Sequence, residues 1–206
     1  MSVRVKICGL TSLADAASAV EAGADALGFI FFKQSPRYLA PAEAARIIAK
    51  LPNSVLKIGV FVDESLEILN GIAGECGLDR LQLHGNESSD LCGLPGRPVI
   101  KAFRVKDQSS LAPMRDYHVS AFLLDSYVPG QLGGTGAKFN WDLAIQAKGF
   151  GTPIILAGGL TPENVGDAVA KVGPWAVDVS SGVECSPGVK DHRKVREFIR
   201  RVKGLQ

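Results

Sequence analysis

The sequence predicts an α/β fold, a single (β/α)8 TIM barrel spanning residues 1–206, and three observations predict it. Short runs rich in Val, Ile, Leu and Phe alternate with stretches of helical apolar spacing along the whole chain, the pattern of repeated βα units on a parallel sheet. The units number about eight, enough to close a barrel, although a chain of this length is at the short end for that fold. Polar and glycine-rich residues gather just after the apolar runs, at Cys8-Gly9, Gln82-Leu83-His84-Gly85, Asp125, Gly158-Gly159 and Ser180-Ser181-Gly182. In a closed barrel those positions share one face, the face that carries the active site. An open doubly wound sheet is the rival, but no GxGxxG fingerprint follows the first strand, where a dinucleotide-binding domain would carry it.

Taken in order, the first strand is Val3 to Cys8, and Leu13, Ala16, Ala17 and Val20 then recur at helical spacing within a helix from Ser12 to Ala22. The same alternation gives strand Ala26 to Phe31 with helix Pro41 to Lys50, and Leu56 to Phe61 with Glu64 to Cys76. Arg80 to Leu83 with Ser88 to Cys92, and Val99 to Phe103 with Ser109 to Arg115, make the fourth and fifth units. Ala121 to Asp125 is paired with Asp142 to Lys148. Ile154 to Ala157 runs through a glycine turn into helix Pro162 to Lys171, with Thr161 as its cap and Pro162 at its first position. Ala176 to Val179 and His192 to Lys203 complete the set; Val195, Phe198, Ile199 and Val202 of that last helix face inward. Its Arg193, Arg196, Arg200, Arg201 and Lys203 fall on the solvated side. No linker interrupts the alternation, so one domain is expected.

With 46% hydrophobic residues the chain can bury one sizeable core. Its net charge of +2 comes from 23 basic and 21 acidic residues scattered along the chain, which excludes the basic stripe of a nucleic-acid binder. Cys8, Cys76, Cys92 and Cys185 show no CxxC and no His or Cys at metal-ligand spacing, so neither disulfides nor a metal site is expected. No apolar run reaches the length of a membrane span or a signal segment, and the expected setting is the cytoplasm with reduced thiols and no membrane partner.

Cys8 stands where a strand stops and a helix begins, over amide protons and the positive end of a macrodipole that favour a thiolate; it reads as a nucleophile or base, with a buried structural cysteine as the alternative. Asp125, at another strand end, places a carboxyl in the same cleft. Gly158 and Gly159, followed one unit later by Ser180, Ser181 and Gly182, supply the small residues and backbone amides with which barrels bind phosphate, and imply a phosphorylated small-molecule ligand. The glycine-rich stretch from Val128 to Phe139 reads as a loop that folds over a ligand. Arg37, on a loop stiffened by Pro36, suits a ligand carboxylate. His84, with Gln82 beside it, belongs to the pocket wall, and Asp178 either fixes a substrate hydroxyl or holds Arg37.

Lys6-Ile7-Cys8-Gly9-Leu10-Thr11, Gly28-Phe29-Ile30-Phe31 with Ser35-Pro36-Arg37, Gly59-Val60-Phe61-Val62 and Leu81-Gln82-Leu83-His84-Gly85 resemble the phosphoribosylanthranilate isomerases of tryptophan biosynthesis. So do Leu124-Asp125, Gly133-Gly134-Thr135-Gly136, Leu156-Ala157-Gly158-Gly159-Leu160 with Asn164, Asp178, and Ser180-Ser181-Gly182-Val183-Glu184. The resemblance covers the whole chain. It implies a cofactor-free Amadori rearrangement of N-(5-phosphoribosyl)anthranilate, with Cys8 as general base and Asp125 as general acid, in a monomer or homodimer. Substrate contacts are expected at Arg37, Gln82, His84 and Asp178. A related isomerase of an aminoimidazole carboxamide ribonucleotide uses two aspartates, and Cys8 speaks against it. A metal-dependent epimerase needs a ligand cluster not found here, and a non-catalytic sensor needs neither Cys8 nor Asp125.

Overall fold

A computed structural model describes residues 2–126 and 140–204 of the protein. Eight parallel strands close into a barrel: β1 (Arg4–Cys8), β2 (Ala26–Ile30), β3 (Leu56–Phe61), β4 (Arg80–Leu83), β5 (Val99–Val105), β6 (Ala121–Ser126), β7 (Ile154–Leu156) and β8 (Ala176–Val179). Each pairs with its neighbour in sequence, and β1 pairs with β8 in the register Arg4↔Ala176 to Ile7↔Val179, which shuts the ring. The α/β barrel read from the alternation is therefore the fold. Helices α1 (Leu13–Glu21), α2 (Pro41–Ile48), α3 (Leu66–Cys76), α4 (Ser89–Gly93), α5 (Trp141–Ala147), α6 (Val165–Val172) and α7 (His192–Lys203) lie between and after the strands. No described helix is long and apolar enough to cross a membrane.

Period-two alternation along the strands divides the core in two. Outward-facing Val5, Ile7, Leu27, Phe29, Leu81 and Leu83 pack with the helices in one buried cluster. Inward-facing Ala26, Ile58, Ile100, Leu123 and Ile155 fill the lower barrel in a second. Fully burying each large apolar side chain contributes on the order of 1.5–3 kcal/mol. Above the second cluster the inward positions turn polar, with Lys6, Gln82, Asp125 and Asp178 all buried, so the same alternation that builds the core delivers the chemistry to its upper end.

Local signals set the helix ends. Ser12, Ser65 and Ser88 accept backbone N–H groups at the starts of α1, α3 and α4, and Asp191 accepts those of Arg193 and Lys194 for α7. Two expectations fail. The helix expected from Pro162 begins three residues later, because Thr161 Oγ1 accepts the Glu163 N–H and Asn164 Oδ1 accepts the Thr161 N–H; those groups make a turn rather than a cap. In the fifth unit the helix is a 3-10 segment, Gln108–Asp116, with Pro113 inside it. A two-stranded hairpin, β9 (Glu184–Ser186) and β10 (Val189–Lys190), sits between β8 and α7 where no element was expected.

Candidate active site

All eleven candidate site residues line one cleft at the C-terminal ends of the strands. Cys8 ends β1 and Asp125 stands near the end of β6, both buried and both inward by strand alternation. The cleft also contains polar atoms that nothing in the protein satisfies: Gln82 Oε1, His84 Nε2 and Ser180 Oγ have no hydrogen-bond partner among the described residues. Buried polar atoms are usually paired, so three unpaired ones in one cleft mark a place for a polar ligand. The glycine-rich 128–139 segment, including Gly133, Gly134 and Gly136, lies outside the described residues.

The surroundings of the thiol differ from the helix-end picture. Burial pushes Cys8 above its ordinary value, and the groups that pull it back are the Lys6 ammonium first and Lys190 second, while the Asp178 carboxylate adds to the rise. Desolvation thus outweighs the cations around the free thiol. Lys6, two residues earlier on the same inward face, was missed in the sequence; its Nζ donates to Asp178 Oδ1 at 3.0 Å. Burial would drive Lys6 down, but Asp178 and Cys8 together outweigh it and leave it above its usual value. Asp178 therefore holds Lys6, not Arg37. Glycine makes this arrangement possible: a Cβ at Gly28 would lie 2.7 Å from Cys8 Sγ and 3.1 Å from Lys6 Cε.

Arg37 is held by a residue given no role in the sequence. Its Nε donates to Glu184 Oε1 at 2.8 Å and its Nη2 to Glu184 Oε2 at 2.7 Å, a two-pronged grip from β9. Lys190 on β10 donates to the same Glu184 Oε1 at 2.8 Å. Burial alone would raise Glu184, but Arg37 and Lys190 keep its carboxyl below the usual range. Glu184 uses only one edge of the guanidinium, which leaves Nη1 and a second Nη2 N–H for a ligand carboxylate. The hairpin is thus a bracket for Arg37.

Asp125 Oδ1 accepts the N–H of Ser126 at 2.8 Å, and its Oδ2 lies 3.6 Å from His84 Nε2, too long for a hydrogen bond but on the same wall. Gln82 Nε2 and His84 Nδ1 are 3.0 Å apart, so Gln82 orients the ring. Beyond Asp125 the chain turns through Gly158 and Gly159 at φ of 81° and 66°, conformations that favour glycine. A Cβ at Gly158 would approach Asp125 Oδ1 to 3.0 Å, and one at Gly182 would collide with the Leu160 carbonyl oxygen. The loops after β7 and β8 therefore interlock through glycine and bring their backbone, with Ser180 and Ser181, to one side of the cleft. That is the side on which barrels bind phosphate. Among the described residues no group of three or more His, Cys, Asp or Glu is placed to hold a metal ion.

Comparison with known proteins points one way. Residues 5–201 match the family model for N-(5'phosphoribosyl)anthranilate (PRA) isomerase. The N-(5'-phosphoribosyl)anthranilate isomerase of Geobacter sp. (strain M21) is 60% identical over 202 residues, covering 98% of each chain. The crystal structure of phosphoribosyl anthranilate isomerase from Thermotoga maritima superposes with a TM-score of 0.92 at 43% identity, over 98% of this chain and 99% of that one. A phosphoribosyl anthranilate isomerase in complex with reduced 1-(o-carboxyphenylamino)-1-deoxyribulose 5-phosphate matches at 42% identity and a TM-score of 0.88, again over 98% of this chain and 99% of that one.

Proposed function

The chain belongs to the N-(5'-phosphoribosyl)anthranilate isomerase family, and from that premise we propose that Cys8 and Asp125 are the base and acid of its reaction. The reaction converts N-(5-phosphoribosyl)anthranilate to 1-(2-carboxyphenylamino)-1-deoxyribulose 5-phosphate in tryptophan biosynthesis. The observation that carries the assignment is a thiol and a carboxyl, each at the end of its own strand, lining one cleft with the glycine turns after β7 and β8.

Asp125 donates a proton to the furanose ring oxygen, the ring opens, and the anilino nitrogen and C1 become a Schiff base. The Cys8 thiolate then removes the proton on C2, because the adjacent iminium accepts the electron pair. The resulting enolamine becomes the ketone when its C2 hydroxyl proton is lost and C1 gains one. Asp125 has then given a proton and Cys8 has taken one, so a net transfer back must precede the next turnover. Because the free thiol is pushed up by burial, only a minor fraction is ionised at neutral pH, and anything that favours the thiolate raises the rate.

The open edge of Arg37 faces the anthranilate carboxylate, and the interlocked Gly158, Gly159, Ser180, Ser181 and Gly182 take the phosphate. Gln82 and His84 border the sugar, and the second oxygen of Asp178 is available to a ribose hydroxyl. The test is to follow anthranilate fluorescence on adding phosphoribosylanthranilate to the purified protein. Turnover by the parent and its loss in Cys8→Ser, a variant whose hydroxyl is far too basic to ionise, is the expected result. A flat trace with folded parent protein overturns the activity, and near-parental turnover by Cys8→Ser overturns the base.

A further inference from the structure

We propose that Lys6 is a positioning residue for the isomerisation: its ammonium, anchored by Asp178, is the cation that keeps the Cys8 sulfur available as an anion. This rests on the reading of Cys8 as the base.

The geometry carries it. Lys6 and Cys8 stand two residues apart on one inward-facing strand, and the missing side chain of Gly28 on β2 leaves a gap that both enter. Asp178 is the register partner of Lys6 across the β1–β8 seam, and it takes one of three ammonium protons. A Cβ at Gly28 would lie 2.7 Å from the Cys8 sulfur and 3.1 Å from Lys6 Cε, so the ends of the two side chains share that gap and act on each other electrostatically. A lysine side chain only 3% exposed is costly to bury, and a single carboxylate satisfies one donor of three.

Four charged groups act on the thiol: Lys6 from its own strand, Asp178 from β8, Lys190 from β10 and Arg37 from the loop after β2. Lys190 and Arg37 are both committed to Glu184. That leaves Lys6 as the cation whose charge answers the sulfur directly. Over one turnover its role alternates. While Cys8 is ionised, the ammonium lies between two anions; once the sulfur has taken the C2 proton, the ammonium and Asp178 remain as a neutral pair. Asp178 thus holds Lys6 in place and at the same time competes for its charge.

That competition gives the test a sign. Iodoacetamide labelling of Cys8, located by peptide mass spectrometry, is measured against pH in the parent, Lys6→Met, Asp178→Asn and the double variant, beside kcat and KM. Lys6→Met should move the labelling midpoint up by about 1–3 pH units, the effect of losing a nearby opposite charge. The kcat at neutral pH should fall by about tenfold per unit and recover as pH is raised, with KM changed less. Asp178→Asn should move the midpoint down. If Lys6→Met does not fold, the double variant serves: its midpoint should lie above that of Asp178→Asn. The proposal is overturned if removing Lys6 leaves the midpoint in place in either background, or if Asp178→Asn fails to lower it. Turnover retained by Cys8→Ser would instead remove the base, and the catalytic role of Lys6 with it, even with the labelling shift intact.

Discussion

Two of the lysines buried at the upper end of the barrel, Lys101 and Lys6, each face a carboxylate and are built to different ends. On the β4–β5 side, Lys101 Nζ donates to Glu87 Oε2 and to the Gly85 carbonyl, both at 2.8 Å, and reaches the Leu83 carbonyl at 3.5 Å. Glu87 in turn accepts the N–H groups of Asp63 at 2.9 Å and of Gly85 at 3.0 Å. Every group is answered by protein, and Glu87 is held below the usual carboxylate range because Lys101 and the backbone donors outweigh the effect of burial. On the β1–β8 side, Lys6 has Asp178 and, beyond it, only a thiol on the cleft. The same ion pair is a closed fastening in one place and an open one in the other. What distinguishes them is how many donors the fold leaves unanswered.

The comparison can be broken from either side. The largest effect is expected across the open side, where Asp125→Asn keeps shape but cannot deliver a proton. Its kcat should fall by about 10²–10⁴ with a smaller change in KM; steady-state rates near those of the parent would mean that the proton comes from elsewhere, with His84 the neighbour to replace next. Lys101→Met tests the closed side. It strands a buried carboxylate and should cost about 3–5 kcal/mol of stability by urea unfolding, yet leave the Cys8 labelling midpoint where it was. A shifted midpoint in that variant would show that the two pairs are not independent.

Arg37→Ala should raise KM by roughly tenfold to a hundredfold through the lost charge-assisted hydrogen bonds, and an analogue without the anthranilate carboxylate should not distinguish it from the parent. The smallest effect concerns Glu184. Its folded value is depressed, so its contribution to stability is complete above the ordinary carboxylate pKa and is lost as pH falls through the depressed one. Glu184→Gln should therefore be less stable near neutrality and decline less steeply below about pH 4.3. Parallel stability curves for the two proteins would remove that role.

The barrel was legible because strand alternation and polar strand ends are properties of order along the chain. Cys8, Asp125 and the glycine turns stood out for the same reason. Lys6 did not, since a lysine at the second inward position of a strand reads as solvated until the closing strand is known to bring Asp178 beside it. Glu184 stood in a recognisable run of residues but acquires a partner only when its hairpin folds back on Arg37. The start of α6 was misplaced because Thr161-Pro162 fits the cap signature, while the hydroxyl and amide hydrogen bonds there close a turn instead. The upward push on the Cys8 thiol was not legible because sequence shows the helix that follows, not the burial of the sulfur.

Lys6 and Asp178 are 172 residues apart. A chain emerging from the ribosome makes the lysine long before its counter-charge, which arrives only with the eighth strand, and until then that ammonium has no Asp178 to be buried against. The seam cannot close early without stranding a charge. A chain that ends before β8 cannot assemble the ion pair beside the sulfur, so closing the ring and pairing Lys6 are one event.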